Sequence, residues 1–346
     1  MSQNYRALAM ILGGIGAAVA ASAWKIARSI DFDGKSVVIF GGSRGLGLVI
    51  ARELAAEGAR LTLAARDEGE LERAKAQLEA QGAMVSTIVC DIRHRDQVNR
   101  TIAQAATERG GIDVLINDAG VIQVGPFDHM EVEDFENAMA THFWGPLYAI
   151  LAALPHLRLS GAARIVNISS IGGKIAVPHL LPYSASKFAL TGLSEGLHAE
   201  LMKEGIRVTT VCPGLMRTGS TYNAWFKGNH KLEFAWFHHA DAIPGLSIDA
   251  RRAARQVIGA CRRGDAELII TTPAKLAVLL NAVSPGTMAA LMSITNRLLP
   301  GAVDESGAEQ RSGWQSVSRL APSFISRQAD RATAENNELP KGAAPG

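Results

Sequence analysis

Cysteine is scarce in this sequence: Cys90, Cys212 and Cys261 are scattered and form no CxxC pair. That excludes a disulfide framework and a zinc-type ligand spacing, and it reads as buried thiols in a reducing compartment. An excess of charge of one sign is missing too. Lys and Arg total 35 against 33 Asp and Glu, a net charge of +2. No electrostatic footprint points to nucleic acid, and none is expected as a partner. Aromatics make up 5% of the chain, yet several gather between Tyr222 and Phe237. At 346 residues the chain can bury a large core, as one α/β domain or as one domain with extensions.

What is present is ordered around the stretch Ser170–Lys187, which ends in Tyr183-x-x-x-Lys187 with Ser170 thirteen residues before the tyrosine. Tyr183 and Lys187 fall one helical turn apart on the same face. An ammonium beside a phenol favours the phenolate and is expected to lower the tyrosine pKa toward the working range of general acid–base chemistry. The Ser170 hydroxyl can hold a substrate oxygen against the tyrosine; Ser169 is the competing serine. Taken alone, Tyr-x-x-x-Lys also fits a packed tyrosine beside a solvated lysine, so the rest of the chain has to decide.

Ser36–Phe40 is an apolar β-branched run leading into Gly41-Gly42-Ser43-Arg44-Gly45-Leu46-Gly47. A helical pattern follows and stops at Gly58, and Leu61–Ala65 reads as a second strand. Strand, glycine turn, helix and strand form a dinucleotide-binding unit, in which backbone approaches a pyrophosphate and the helix start supplies N–H donors. A carboxylate for the ribose 2′-hydroxyl is absent at the end of the second strand, where Ala65 and Arg66 stand. Arg44 and Arg66 together suit a 2′-phosphate, so NADP(H) is the expected cofactor. Further strands are predicted at Met84–Val89, Val114–Ile116, Arg164–Ile168, Ile206–Val211 and Glu267–Ile270, with a long helix over Tyr183–Lys203. Asp91 is placed to accept from an adenine amino group. Asn117, Ala119 and Gly120 follow the fourth strand as small residues beside a cofactor.

With these residues in hand, the chain resembles the short-chain dehydrogenase/reductase family. The likeness is carried by Gly41, Gly45 and Gly47, by Asn117-x-Ala119-Gly120, by Ser170, Tyr183 and Lys187, and by Val211-Cys212-Pro213-Gly214 followed by Thr218. It runs from about Lys35 to Thr272. The resemblance implies a doubly wound (Rossmann) parallel seven-stranded sheet with helices on both faces, as a single α/β domain plus a helical C-terminal extension. It implies that Ser170, Tyr183 and Lys187 are catalytic. Ser43, Arg44, Leu46, Arg66, Asp91, Tyr183, Lys187, Pro213, Gly214 and Thr218 would join the glycines and Asn117-x-Ala119-Gly120 around the cofactor. Three departures stand out: Phe40 replaces a usual threonine, Asp118 replaces a second asparagine, and His142 occupies the place of a catalytic asparagine. His142 is expected to support the proton-relay water that the asparagine holds in relatives; a merely structural histidine or a crippled relay are the alternatives.

The expected division is an apolar N-terminal segment over 1–30, the catalytic domain over 31–272, an apolar helical extension over 273–300 and a mostly disordered tail over 301–346, with Trp314 and Phe324 as docking points. Ala7–Trp24 carries no charge and as a helix would span roughly 27 Å at ~1.5 Å per residue, against a hydrocarbon core of ~30 Å. It reads as a short membrane anchor, a helix lying on a membrane or partner, or a cleaved signal peptide. A cytosolic cofactor and Lys25, Arg28 and Lys35 after the segment favour a membrane-associated protein with its catalytic domain in the cytoplasm, a fully cytoplasmic protein being the alternative. The aromatics of 219–244 suggest a lid over an apolar substrate, or else a cover for the fold's own core. The leading expectation is an NADPH-dependent oxidoreductase interconverting a carbonyl and an alcohol on a small lipophilic substrate, assembled as a homo-oligomer through its two long helices. The alternatives are a catalytically weak NADP-binding membrane-associated partner or sensor, and a non-redox dehydratase or epimerase.

Overall fold

The computed structural model describes residues 29–243, 245–322 and 326–339. The Ala7–Trp24 segment and Phe324 lie outside the described residues. The central sheet is built from β1 (Ser36–Phe40), β2 (Arg60–Ala65), β3 (Val85–Val89), β4 (Val114–Asn117), β5 (Arg164–Ile168), β6 (Arg207–Pro213) and β7 (Glu267–Ile270). Every pairing is parallel and the spatial order is 3-2-1-4-5-6-7. The order reverses between β1 and β4, and ligands bind at such a switch point, beyond the carboxyl ends of the strands.

Strand periodicity explains the layers. Val37 and Ile39 face a cluster with Leu48, Leu54 and Val257, contributed by α1 (Gly45–Ala56) and α8 (Ala250–Arg263). Val38 and Phe40 face the opposite cluster with Val98, Ile102 and Ile150, from α3 (Arg95–Arg109) and α5 (Gly145–Leu157). Both faces are therefore covered, as a parallel sheet requires. Phe40, unusual at its position by resemblance, is fully buried in this second cluster.

The remaining helices of eight or more residues, among the described residues, are α2 (Glu68–Glu79), α4 (Val132–Met139), α6 (Leu181–Leu201), α7 (His230–Ala242), α9 (Thr272–Val283), α10 (Pro285–Leu298) and α11 (Arg327–Glu335). Between α4 and α5, residues Ala140–Trp144 widen into a π-helical turn that carries His142. Such bulges concentrate at functional sites. Ser284-Pro285 separates α9 from α10, as the Pro-Gly break implies.

The stretch after Gly301 differs from the expected disordered tail. Arg311–Ser312 pairs antiparallel with Trp225–Phe226, which pairs in turn with Gln123–Val124. The Trp314 ring stacks on Tyr222 with centroids 4.4 Å apart. Helix α11 and residues 336–339 then return to the main sheet. Their contacts are polar and specific, so no hydrophobic pattern announces them. Among the described residues, no helix is long and apolar enough to cross a membrane.

Candidate active site and dinucleotide cradle

The first βα turn is shaped by glycines at close approaches. Gly41 has φ +87°, and a Cβ there would sit 2.6 Å from the Ala119 nitrogen. At Gly47 a Cβ would lie 2.2 Å from the Gly41 carbonyl oxygen and 2.8 Å from Asp118 Oδ2. The glycines thus let the α1 start, β1 and the Asn117–Gly120 turn converge. Ser43 is buried and donates to Glu70 Oε2 at 2.9 Å. Arg44 lies 3.4 Å from Glu70 Oε1. Leu46 is buried in the core, so only its backbone can face a ligand. Arg66 is exposed just past the end of β2, and no carboxylate occupies that strand end. Asp91 is held bidentately by Arg93, at 3.0 Å to Oδ1 and 2.6 Å to Oδ2. Burial works to raise the Asp91 carboxyl, but the Arg93 hydrogen bonds outweigh it and hold it below the usual range.

β5 delivers two serines with separate fates. Ser169 Oγ donates to the Lys187 carbonyl at 3.0 Å and pairs with Thr191 Oγ1 at 2.7 Å, so it is spent inside the fold. Ser170 shares a hydrogen bond with the Tyr183 hydroxyl, and its Oγ accepts from Gly172 N at 3.0 Å. A Cβ on Gly172 would be 3.1 Å from Tyr183 Cε1, so glycine there gives the ring its place. Lys187 is 4% exposed; its Nζ donates to the Ile168 carbonyl at 2.8 Å and sits 5.6 Å from the Tyr183 ring centroid.

The electrostatics differ from the expectation of a lysine-lowered phenol. Burial pushes the Tyr183 hydroxyl up to about 12, with the Ser170 hydrogen bond opposing it. Burial pulls Lys187 down to about 8, with Asp118 opposing. Asp118 is pushed up to about 7 by burial, against Lys187 and the Gly47 N–H. The departure from asparagine at position 118 therefore places an ionisable partner beside the lysine, a role that spacing alone did not assign.

His142 is fully buried with both ring nitrogens committed. The Val121 N–H donates to Nε2 at 3.1 Å, so Nε2 carries no proton. Nδ1 therefore bears the hydrogen and donates to Ser186 Oγ at 2.7 Å; that hydroxyl donates to the Pro182 and Tyr183 carbonyls, each at 2.9 Å. Burial, then Lys187, hold the imidazole well below its ordinary value, hence neutral. The ring meets Tyr183 edge-on at 5.4 Å. Neither nitrogen is left for a relay water, so the expected relay gives way to a brace between the Gly120 turn and the start of α6.

The far wall of the cleft is made by Pro213, Gly214 and Thr218, beyond β6. Gly214 N donates to the Ile270 carbonyl at 3.2 Å and Thr218 Oγ1 donates to Ser220 Oγ at 2.9 Å. Asn117 spans from β4 to β5, donating to Asn167 Oδ1 at 2.8 Å. The expected aromatic lid turns inward: Tyr222, Phe226, Phe234 and Phe237 are buried in a cluster of their own. A cavity of about 800 Å³ is lined instead by Phe127, Pro178, His179, Leu181 and Met292 of α10.

Sequence reasoning missed Asn336, Asn337 and Glu338. Asn336 O accepts from Gly45 N at 2.9 Å, Asn337 Nδ2 donates to Ser43 O at 2.8 Å, and Glu338 Oε2 lies 3.5 Å from Arg44. Nothing in their spacing relates them to a glycine loop almost three hundred residues away.

The glycine turn, the α1 start without a first-turn carboxylate and the two arginines fit a dinucleotide by shape and charge. A profile of the short chain dehydrogenase family matches residues 35–227. An uncharacterised oxidoreductase of Staphylococcus saprophyticus is 35% identical over 205 residues, covering 59% of this chain and 88% of its own length. The gluconate 5-dehydrogenase of Gluconobacter oxydans is 32% identical over 191 residues, 55% of this chain and 75% of that protein. The crystal structure of a dehydrogenase/reductase from Sinorhizobium meliloti superposes with a TM-score of 0.62 at 30% identity, covering 71% of this chain and 97% of the other.

Proposed function

Because the chain belongs to the short-chain dehydrogenase family and is an oxidoreductase using a nicotinamide cofactor, we propose that it interconverts a carbonyl and an alcohol on a lipophilic substrate with NADP(H). The observation that carries this reading is the Ser170–Tyr183–Lys187 cluster at the carboxyl end of β5. Ser43, Arg44, the Gly45 and Leu46 backbone, Arg66 and Asp91 would hold the adenosine and phosphate end. Asn117, Ala119, Gly120, Lys187, Pro213, Gly214 and Thr218 would hold the nicotinamide end. The nicotinamide supplies or accepts the hydride.

The rest is done by this chain's side chains. In reduction, Ser170 donates a hydrogen bond to the substrate oxygen and fixes it near Tyr183. The Tyr183 hydroxyl gives its proton to that oxygen as negative charge develops there. A phenol raised to about 12 keeps its proton until that moment. The buried Lys187 ammonium then stabilises the phenolate. Asp118 helps keep Lys187 charged. His142 holds the Tyr183 turn in register through Ser186 and is a positioning residue.

Support for NADP(H) is the pair Arg44 and Arg66 with no carboxylate at the β2 end. Support for a lipophilic substrate and for membrane association is the α9–α10 hairpin. Leu276, Leu279 and Val283 on α9 and Leu291, Ile294 and Leu298 on α10 are exposed at i, i+3, i+7 spacing. Its charged residues are Lys275 and Arg297, with no acid, which suits an anionic lipid surface. The same hairpin lines the cavity beside Phe127 and Pro178 through Met292. We also propose a homo-oligomer through α5 and α6, which expose Leu151 and Phe188; light scattering of the purified protein tests it.

The enzymatic reading is tested by NADPH oxidation across carbonyls of rising chain length and ring content, with NADH in parallel. Rates that rise with lipophilicity and require NADPH support it; equal use of NADH removes the NADP assignment.

A further inference from the structure

The C-terminal segment crosses the cleft described above. Asn336, Asn337 and Glu338 are buried, the last only 3% exposed. Their contacts fall on both walls. On the glycine-loop side, Asn336 O takes the Gly45 N–H, the helix-start donor suited to a phosphate oxygen. Asn337 Nδ2 donates to the Ser43 and Glu70 carbonyls at 2.8 and 2.9 Å. The Glu338 carboxylate stands 2.7 Å from where a Gly45 Cβ would be and 3.5 Å from Arg44. On the opposite side, Asn336 Nδ2 donates to the Thr218 carbonyl at 3.2 Å, and Asn223 Nδ2 donates to Glu338 Oε2 at 2.7 Å. Thr333 Cα lies 2.5 Å from the position of a Cβ on Gly219.

The segment is clamped as a ligand would be. Arg52 Nη1 donates to Asn336 Oδ1 at 3.0 Å, and its Nη2 reaches the Glu335 carbonyl. Arg73 Nε donates to Asn337 Oδ1 at 2.7 Å. Just upstream, Asp330 anchors α11 by accepting from Tyr222 at 2.7 Å and meeting His238 Nε2 at 3.1 Å. A carbonyl and a carboxylate thus occupy the donors that a dinucleotide's phosphates need, beside the arginine expected to read them. Residues 336–338 are held by hydrogen bonds and an ion pair, which water and phosphate can replace.

We infer that Thr333–Glu338 is a built-in competitor for the dinucleotide phosphates, and that cofactor entry displaces it. The inference rests on the cofactor reading above. The segment sets cofactor affinity from within the chain, and anything that draws the C-terminus away loads the enzyme.

The test uses the full chain and the triple variant Asn336→Ala, Asn337→Ala, Glu338→Ala. NADPH affinity is read at equilibrium by its fluorescence, and hydrogen exchange is followed in peptide 330–339. The expected result is at least tenfold tighter NADPH binding by the triple variant, with faster exchange of 330–339 in the parent on adding NADPH. Glu338→Arg, which sets a second guanidinium beside Arg44, should shift affinity the same way and serves if the triple variant folds poorly. Unchanged or weaker binding by the variants, or slower exchange as NADPH binds, overturns the inference and leaves the cofactor reading standing. Failure of parent and variants to bind any dinucleotide overturns both.

Discussion

His142 shows how much a single side chain's protonation is set by its neighbours. A backbone N–H on one nitrogen and a serine oxygen on the other lock one neutral tautomer in a fully buried site. Its folded pKa lies well below 6.5, so the unfolded chain binds a proton there that the folded chain does not. The stability this contributes is complete above about pH 6.5 and is lost as pH falls. His142→Asn removes the titration. Its melting temperature should fall less between pH 7.5 and pH 5 than that of the parent. Asp118→Asn withdraws the carboxylate that supports the Lys187 charge. The basic limb of the kcat/KM profile should move toward lower pH, on the order of one unit. A pH–rate profile with an unmoved limb would separate Asp118 from the lysine.

At the scale of elements, the glycine turn is the least forgiving part. A methyl group at Gly47 meets the Gly41 carbonyl at 2.2 Å, and backbone cannot yield as a side-chain tip can. Gly47→Ala should cost about 1–3 kcal/mol by thermal denaturation and weaken dinucleotide binding. The α9–α10 hairpin makes the opposite prediction. Leu279 and Ile294 face outward, so Leu279→Asp with Ile294→Asp should leave the melting temperature within a few degrees while lowering co-sedimentation with phosphatidylglycerol-containing vesicles several-fold. Vesicle binding that persists in this variant would refute the hairpin's role. These elements were legible in the sequence for physical reasons. Ser36–Phe40 and Arg164–Ile168 are β-branched runs buried on both faces, and Ser284-Pro285-Gly286 breaks an apolar helix where backbone chemistry demands it. Ser170 could be chosen over Ser169 by spacing, and the hydrogen bonds of the two serines agree. The π-helical turn at Ala140–Trp144 has no such signal, because one extra residue in a turn leaves apolar periodicity almost untouched.

Across the whole molecule, long-range polar contacts were the illegible part. Asn336 to Glu338 read as a polar tail until the fold brings them to Arg44, Arg52 and Arg73. The aromatic stretch was legible as aromatic but not as inward-facing, because its burial depends on Trp314 and on the strand at Arg311–Ser312. The placing of Tyr183 beside Ser170 and Lys187 follows from spacing, whereas its pKa does not, because burial pushes the hydroxyl up and the Ser170 hydrogen bond only partly opposes it. Tyr183→Phe tests the central claim most directly. It should lower carbonyl-dependent NADPH oxidation by roughly 10²–10⁴-fold while NADPH binding, measured on the same protein by fluorescence, stays within a few-fold of the parent. A Tyr183→Phe protein that turns over carbonyls near the parent rate would contradict Tyr183 as the proton donor.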